Sequence, residues 1–340
     1  MSAEPFGRLD THPELRERLL PYCRLGVGDV WEDAVSGHRV GVLDATNAGD
    51  IVRLFGSERA TLAIQDPPYN VLLGNENTES LFKMNLSDYM RFSEAWMRNT
   101  LEILAPDSSV YVWLGADQKE GFQPLPDFML MMRQFSELVS RSFITMRNQR
   151  GYGTQKNWMA VRQECLYYTK GNAYFDVNAE YTDIPKILRG YYKEVNGVKT
   201  DNLERGKSEN IRAGNVWVDV QQVFYRMQEN IAGCYAQKPL KAIERIVRAS
   251  SKEEDLIADF FTHSGTTLIA GELHKRRVFT LDTDPLFAEM SIRRLEHLRK
   301  TGLSGFQYSN PFPEITDFTP ELEAALATEM DNAPQPVTLF

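Results

Sequence analysis

The sequence predicts an α/β fold with a doubly wound, mainly parallel sheet. Short apolar runs typical of buried strands alternate with longer segments whose apolar residues recur at helical spacing. A helix over 47–55 separates strands at 39–44 and 60–65, and a helix from Thr266 separates strands at 256–261 and 278–282. Between these two parts, residues 171–232 show neither period. The sequence therefore predicts one main domain that carries an inserted, partly irregular region.

The remaining elements follow the same rhythm. Further strands are predicted over 109–114, 143–146 and 165–169. Further helices are predicted over 13–20, from a cap at Ser87 or Asp88 to a stop at 106–107, over 127–140, from Pro239, and from Pro285 to about residue 300. The three methionines of the 127–140 helix are expected to fill the core. Residues 147–153 are expected to form a basic, glycine-bearing loop.

Four regions follow from this division of the chain. Residues 1–37 form an N-terminal extension, residues 38–170 and 233–300 the main domain, residues 171–232 the insertion, and residues 301–340 a loose C-terminal tail. One short helix is expected in that tail, near residues 322–327. The extension carries no recognisable chemistry.

The composition indicates a globular protein of a reducing compartment. Of the 340 residues, 42% are hydrophobic and 25% are charged, an ordinary balance. No apolar run approaches the roughly 18 residues that a membrane span needs, and the first residues lack a secretion signal. The cysteines Cys23, Cys165 and Cys234 are odd in number and far apart. This pattern argues against disulfides and a zinc cluster, and favours the cytoplasm.

The charge of the chain is unevenly distributed. A net charge of −9 counts against a generic nucleic-acid binder. Between residues 133 and 170, however, seven basic residues face two acidic ones, a local excess of +5. Such a segment could line a groove that faces phosphates, or it could be an ordinary solvated loop.

The tetrapeptide Asp66-Pro67-Pro68-Tyr69 follows the predicted strand over 60–65 directly. Strand ends of open α/β sheets are where ligands bind. The prolines lack N–H groups, so their carbonyls are free acceptors. A carboxylate and a carbonyl can accept both hydrogens of an exocyclic amino group, while the Tyr69 ring stacks on the base that carries it. The plain alternative is a strand that ends in a Pro-Pro turn, with the tyrosine in the core.

A second constellation lies near the C-terminus. The segment 259–267 joins a strand to a helix, so its N–H groups and the helix start can bind an anionic group. Asp282 ends the next strand and can accept hydrogen bonds from a ribose diol. This order describes a nucleoside cofactor site. No Gly-x-Gly-x-x-Gly is present, which counts against a nicotinamide cofactor, and no Walker lysine is present, which counts against ATP.

Together the two constellations resemble the amino-group DNA methyltransferases, whose catalytic tetrapeptide is (Asp/Asn/Ser)-Pro-Pro-(Tyr/Phe/Trp). Their cofactor loop reads Asp-Pro-Phe-x-Gly-Ser-Gly-Thr-Thr. The chain departs from it at Phe260 and His263, where the family has proline and glycine. It is similar at Asp259, Phe261, Ser264, Gly265, Thr266 and Thr267.

Other segments extend the resemblance over roughly residues 38–300. The pair Gln237-Lys238 resembles the family's Gln-Lys-Pro segment, which flanks the methionine end of the cofactor, although the usual His-Pro-Thr before it is Cys-Tyr-Ala here. Residues 168–171 resemble its Tyr-Thr-Lys-Gly strand, and Asp44 stands where the family has an acid that contacts the cofactor adenine. Because the tetrapeptide precedes the cofactor loop, the order is the permuted one of the beta group. In that group the insertion carries the target-recognition region.

The resemblance implies a Rossmann-like methyltransferase that acts on double-stranded DNA without a metal. It implies methyl transfer from S-adenosylmethionine, with S-adenosylhomocysteine as product, to the amino group of a flipped base. In the family Asp in first place goes mostly with adenine N6, and cytosine N4 is the alternative. Thr262 joins the loop residues as a cofactor contact, and Arg147, Arg150 and Lys156 are expected DNA contacts. A homodimer and a cognate restriction enzyme are open as partners.

Two other classes stay open at this point. His263 in the cofactor loop would suit a catalytically silent DNA-binding subunit, although an intact Asp66–Tyr69 tetrapeptide argues against it. A dehydrogenase of the Rossmann type is weakened by the missing glycines. Cofactor binding, measured with S-adenosylmethionine and with NAD, would separate these classes.

Overall fold

A computed structural model describes residues 4–5, 9, 13–68, 85–115, 124–152, 158, 160–185, 192–201, 209–224, 227–234, 237–307 and 309–319. The helices are α1 (Pro13–Leu19), α2 (Ala48–Phe55), α3 (Leu86–Ile103), α4 (Pro124–Met132), α5 (Leu240–Ser250), α6 (Thr266–Leu273) and α7 (Pro285–Thr301), with a 3₁₀ turn at Leu20–Tyr22.

The strands are β1 (Glu4–Pro5), β2 (Val30–Glu32), β3 (Arg39–Val42), β4 (Ala60–Gln65), β5 (Leu104–Leu114), β6 (Leu138–Tyr152), β7 (Ala160–Lys170), β8 (Tyr181–Pro185), β9 (Tyr192–Val195), β10 (Val198–Asp201), β11 (Asn210–Arg212), β12 (Val216–Trp217), β13 (Leu256–Asp259), β14 (Arg277–Asp282) and β15 (Phe318–Thr319). Among the described residues no helix is long and apolar enough to cross a membrane.

The predicted doubly wound sheet is confirmed. Its strands lie in the order β12-β6-β7-β5-β4-β13-β14-β3-β2. The five central strands from β5 to β3 pair in parallel, and β7 and β2 pair antiparallel to their neighbours. The chain leaves β4 towards β5 on one side and leaves β13 towards β14 on the other. The boundary between β4 and β13 is therefore the switch point where such sheets bind ligands.

Both faces of the sheet are covered by helices. Apolar residues of α5, α6 and α7 pack on one face, and those of α2, α3 and α4 on the other. The alternation of side chains along β4 explains this arrangement, because Leu62 and Ile64 belong to the first core and Ala63 to the second. Strands β13 and β14, which flank the predicted cofactor loop and α6, are also buried apolar runs.

Helix boundaries differ from prediction at two places. The helix predicted over 127–140 is α4 and ends at Met132, and the chain is already in β6 at Leu138. Pairing of β6 with β7 there overrides the local helical pattern. Helix α3 begins after Asn85, whose side chain accepts from the N–H of Asp88, so neither Ser87 nor Asp88 is the cap. Its end is also earlier than predicted, because β5 begins at Leu104, before the proline. The methionines of α4 do pack in the core.

The predicted basic loop over 147–153 is wrong as far as Tyr152. Strand β6 continues to Tyr152, which pairs with Ala160 of β7. The register shifts between Arg147 and Tyr152, so an irregular strand pair accommodates the glycine that suggested a loop. Arg147 and Arg150 therefore lie within strand β6.

The insertion and the termini contribute to the packing. Strand β12 adds to the edge of the central sheet beside β6, and Trp217 is buried there. The expectation of a loose tail is wrong for Phe306, Phe312 and Ile315, because they are buried in a cluster with Leu15 of α1. Residues 322–327 lie outside the described residues. The four-region division of the chain stays a prediction.

Candidate active site

Four parallel strands bring acidic residues to one edge of the sheet. Asp259 ends β13 and Asp282 ends β14, while Asp66 directly follows β4 and Asp44 lies two residues beyond β3. The register pairs Asp259 with Thr280 and Asp282 with Val42, so these strands end at similar heights. The arrangement places residues from distant parts of the sequence around the switch point.

One pocket joins Asp66 with most of the predicted cofactor-binding residues. Its floor and walls come from the end of β4, the residue before Pro239, and the loop between β13 and α6. It is lined by Ile64, Asp66, Lys238, Ile243, Asp259, Phe261, Thr262, His263, Ser264, Thr266 and Thr267. The predicted tetrapeptide and the predicted cofactor loop therefore face the same space at Asp66 and Asp259.

Asp66 forms an ion pair with Lys238, a residue that the family resemblance assigns to the methionine end of the cofactor. Lys238 Nζ donates to Asp66 Oδ1 at 2.8 Å. The lysine side chain is 6% exposed and the aspartate side chain 26% exposed, so the pair is largely shielded from water. Of the following residues, Pro67 is buried and Pro68 half-buried, and Tyr69 lies outside the described residues.

The strand that delivers Asp66 is braced by Gln65, which the sequence did not single out. Its side chain is fully buried. Its Oε1 accepts from the backbone N–H of Phe260 at 2.9 Å, and its Nε2 donates to Thr100 Oγ1 at 3.1 Å. One amide therefore ties the ends of β4 and β13 together and attaches both to α3.

Two carboxyl groups at this edge have raised pKa values. Burial raises the pKa of Asp259 to about 7, and the negative charge of Asp66 adds to the rise, whereas hydrogen bonds from the Phe261 N–H and Thr267 lower it. Burial also raises the pKa of Asp282 to about 7, against hydrogen bonds from the N–H groups of Asp284 and His263. Two carboxyl groups with such pKa values mark a site that gains from a cationic ligand.

The loop between β13 and α6 forms a tight turn that contains two residues with positive φ. His263 has a φ of 42°, and Gly265 has a φ of 74°. The His263 N–H donates to Asp282 Oδ2 at 3.1 Å, and the His263 ring packs against the ring of Phe287, with centroids 4.7 Å apart. The histidine therefore takes the left-handed backbone conformation that a glycine adopts more easily.

Gly265 is required by helix packing. A Cβ atom built on it would lie 2.6 Å from Cβ of Ser291 in α7, so the loop and α7 touch at this point. The close approach brings α7 against the loop and lets Arg294 reach it.

Arg294, which the sequence also missed, supports the loop from behind. Its side chain is fully buried, and burial lowers its pKa to about 10. It donates to the carbonyl of Ser264 at 2.8 Å and to Thr266 Oγ1 at 3.0 Å. Thr266 Oγ1 in turn donates to the carbonyl of Lys238 at 3.2 Å. The chain of contacts links the loop to the lysine that holds Asp66.

Three predicted residues have other surroundings. Gln237 is buried and donates to the carbonyl of Glu229 at 2.7 Å, and it does not line the pocket. Asp44 is exposed, and its Oδ1 accepts from the N–H and hydroxyl of Thr46. Arg147 is exposed near the end of β6, opposite Arg162 of β7. The Arg150 side chain and Lys156 lie outside the described residues.

Comparisons with known proteins identify the family of the chain. Residues 60–293 match the family N6_N4_Mtase, described as DNA methylase. The chain therefore belongs to this family and is an amino-group DNA methyltransferase, which removes the dehydrogenase alternative. The type II methyltransferase M.HpaI of Haemophilus parainfluenzae is 26% identical over 254 residues, which cover 75% of this chain and 74% of that protein.

Two further comparisons have similar extent. The type II methyltransferase M1.MboII of Moraxella bovis is 27% identical over 239 residues, covering 66% of this chain and 85% of that protein. The solved PvuII DNA methyltransferase (cytosine-N4-specific) superposes with a TM-score of 0.50 at 14% identity, over 74% of this chain and 84% of that one. At that identity the structural likeness supports the fold alone.

Proposed function

We propose that this methyltransferase moves a methyl group from S-adenosylmethionine to the exocyclic amino group of a flipped base in double-stranded DNA, most readily adenine N6. The observation that carries the proposal is the position of Asp66 in the pocket shared by β4 and the β13–α6 loop. A carboxylate there can accept hydrogens from an amino group beside a nucleoside cofactor. Cytosine N4 is the alternative target, since it presents a similar amino group.

The residues of the pocket fit the cofactor. Asp66 and Asp259 supply negative charge for its cationic methionine end, and Asp282 at the neighbouring strand end suits a ribose diol. The hydroxyl of Thr262 is buried and makes no hydrogen bond within the described residues, so it can serve a ligand. Asp44 is exposed for contact with the adenine. Phe261, Ser264, Gly265, Thr266 and Thr267 form the surrounding turn.

The chemistry requires positioning above all. When bound, S-adenosylmethionine supplies an electrophilic methyl group on a sulfonium. Asp66 and the carbonyl of Pro67 would each accept a hydrogen bond from one hydrogen of the amino group. These two bonds would turn the nitrogen lone pair out of conjugation with the ring. Tyr69 stacks on the flipped base. Flipping costs a few kcal/mol, because the amino group is otherwise paired and stacked. Alignment of the nitrogen with the methyl group would provide most of the acceleration. The N–C bond would form as the C–S bond breaks, S-adenosylhomocysteine would leave, and the surplus proton of the nitrogen would pass to water along its hydrogen bond to Asp66.

The wider assignments belong to the same proposal. The order of the tetrapeptide before the cofactor loop supports the permuted beta group, with residues 171–232 as the target-recognition region and residues 38–170 and 233–300 as the catalytic domain. Arg147, Arg150 and Lys156 contact DNA. A homodimer and a cognate restriction enzyme are further proposed partners. We also propose a cytoplasmic location, which suits three free cysteines and DNA as substrate.

The test is modification-aware sequencing of DNA from cells that express the wild type or Asp66→Ala. Mass spectrometry of the released nucleosides identifies the product as N6-methyladenine or N4-methylcytosine. We expect N6-methyladenine at one short sequence with the wild type and none with the variant. N4-methylcytosine would replace the proposed base by the alternative. Wild-type DNA without either base, from cells that contain folded protein, would mean that the chain is a silent subunit.

A further inference from the structure

We propose that Lys238 is the positioning residue of the Asp66 carboxylate. This role rests on the proposed function and gives the lysine a different task from the cofactor contact that the family resemblance implies. The ammonium of Lys238 lies 2.8 Å from Asp66 Oδ1, across 172 residues of sequence. The contact therefore depends on the tertiary structure, which brings the residue before α5 to the end of β4.

Lys238 is held at its backbone carbonyl and at its ammonium. Its carbonyl accepts from Thr266 Oγ1, and Thr266 is in turn bonded to the buried Arg294. Its ammonium lies 5.4 Å from the ring centre of Trp113, a cation–π distance. With only 6% of its side chain exposed, Lys238 lacks the freedom that weakens surface ion pairs. An ion pair fixed in this way can define the orientation of its partner.

The charges around Asp66 show why a cation is needed there. Asp259 is buried in the same pocket, and the negative charge of Asp66 contributes to its raised pKa. Two neighbouring carboxylates repel each other, and the Lys238 ammonium reduces that repulsion. A carboxylate has about four acceptor positions, so the Lys238 ammonium at Oδ1 does not by itself prevent Asp66 from accepting a hydrogen bond from the target's amino group. Lys238 therefore holds the Asp66 carboxylate in one orientation.

The competing role makes a different prediction. If Lys238 instead bound the carboxylate of the cofactor's methionine part, its loss would weaken cofactor affinity and spare turnover at saturating cofactor. A positioning residue acts through Asp66, so its loss should lower turnover and leave cofactor affinity nearly unchanged. Measuring kcat and the cofactor Kd of a Lys238 variant therefore separates the two roles.

The experiment compares Lys238→Met, Lys238→Arg and wild type. Tritium transfer from S-adenosylmethionine to unmethylated genomic DNA gives kcat and KM, and calorimetry gives the Kd of S-adenosylhomocysteine and of 5′-methylthioadenosine, which lacks the amino-acid part. We expect kcat to fall roughly 100-fold in Lys238→Met, the scale of a small misplacement, with both Kd values within about threefold. Lys238→Arg should recover part of kcat. Loss of S-adenosylhomocysteine affinity alone, with kcat retained, would overturn the proposal.

A second measurement needs neither cofactor nor DNA. The thermal midpoints of Asp66→Ala, Lys238→Met and the double variant form a double-mutant cycle. We expect the decrease in thermal midpoint of the double variant to be clearly smaller than the sum of the decreases in the two single variants. Lys241→Met is the matched control, because Lys241 lies three residues further on and pairs with Asp183. The decreases in thermal midpoint caused by Lys241→Met and Asp66→Ala should therefore be additive.

The two measurements separate the inference from the proposed function. Additive losses in the cycle would show that the pair is not formed, and the inference would be wrong even in an active enzyme. A wild type that transfers no methyl group would contradict the proposed function, and the cycle would then decide the ion pair by itself.

Discussion

The side-chain oxygen of Gln65 accepts a hydrogen bond from the backbone N–H of Phe260 at 2.9 Å, and through it the strand end that carries Asp66 is fixed to the strand end that carries the cofactor loop. We expect Gln65→Leu to lower the free energy of unfolding by about 1–3 kcal/mol, because the buried N–H of Phe260 loses its partner. Chemical denaturation followed by circular dichroism measures this change.

The control for this prediction is Gln134→Leu, an exposed glutamine just beyond α4. A surface substitution of the same kind should change stability by less than about 0.5 kcal/mol. If the two variants lost equal stability, the Gln65 bridge would have no special role.

Much of the fold was predictable because buried parallel strands and amphipathic helices have distinct periods. The bounds of β4 were predicted correctly, since the apolar run over 60–65 ends in an acid and two prolines. The predicted helix over 127–140 failed because pairing of β6 with β7 decides the structure from Leu138 onwards. A local pattern does not contain that pairing, so tertiary context overrode it.

The candidate site was predictable where it is local in sequence and hidden where it is not. Asp66 directly follows an apolar strand and Asp259 ends one, which is a local signal. Gln65 and Arg294 look like ordinary polar residues until their partners are known. Phe260 is 195 residues away from Gln65, and Ser264 is 30 residues away from Arg294. Burial of an amide or a guanidinium against a loop follows from packing, which the sequence does not display.

His263 offers a test of backbone strain in the cofactor loop. Its φ of 42° lies in the left-handed region, which disfavours residues other than glycine by about 1–2 kcal/mol. We expect His263→Gly to be more stable than His263→Ala by about 1 kcal/mol, because both lose the ring that packs on Phe287 and only glycine relieves the backbone. Equal unfolding free energies would mean that the φ angle carries no strain.

The same variants test whether the histidine disables the enzyme. We expect wild-type protein to transfer methyl groups at saturating S-adenosylmethionine, because the ring contacts Phe287 while the His263 N–H completes the turn against Asp282. His263→Gly should bind the cofactor at least as tightly. A wild type without detectable transfer that is rescued by His263→Gly would support the silent-subunit alternative.

Asp259 predicts a pH dependence of stability. Its pKa is raised from 3.8 to about 7, so the folded protein binds a proton there that the unfolded chain releases. The resulting stabilisation is complete below about pH 4 and is lost as the pH rises towards 7. In Asp259→Asn the amide oxygen can accept from the Phe261 N–H, and the group carries no charge.

We therefore expect Asp259→Asn to gain stability relative to wild type on the order of 1 kcal/mol per pH unit between pH 5 and pH 7. Denaturation curves of both proteins at several pH values, without cofactor, measure the difference. Parallel curves over this range would show that Asp259 has the same pKa in the folded and unfolded states. Cofactor binding should weaken in the variant at pH 8, since a cationic ligand loses a carboxylate partner.

Arg147 tests the surface proposed for DNA. The carboxyl-terminal part of β6 lies on the same edge of the sheet as Asp66, because β6 runs parallel to β5 through the antiparallel β7. Arg147 is exposed there, and its cross-strand neighbour Arg162 is exposed as well. A phosphate contact at either residue would release a counterion when DNA binds.

We expect Arg147→Glu to weaken binding to every duplex sequence and to reduce the slope of log affinity against log salt by about 1. Fluorescence anisotropy of a labelled duplex, titrated at several salt concentrations, measures both quantities. Arg59→Glu is the matched control, because Arg59 is exposed just before β4, at the opposite edge of the sheet. The salt slope of Arg59→Glu should equal that of the wild type, since Arg59 lies far from the proposed DNA-facing surface. Equal reductions in both variants would indicate only the change in net charge, and the DNA-facing surface would then have to lie elsewhere on the protein.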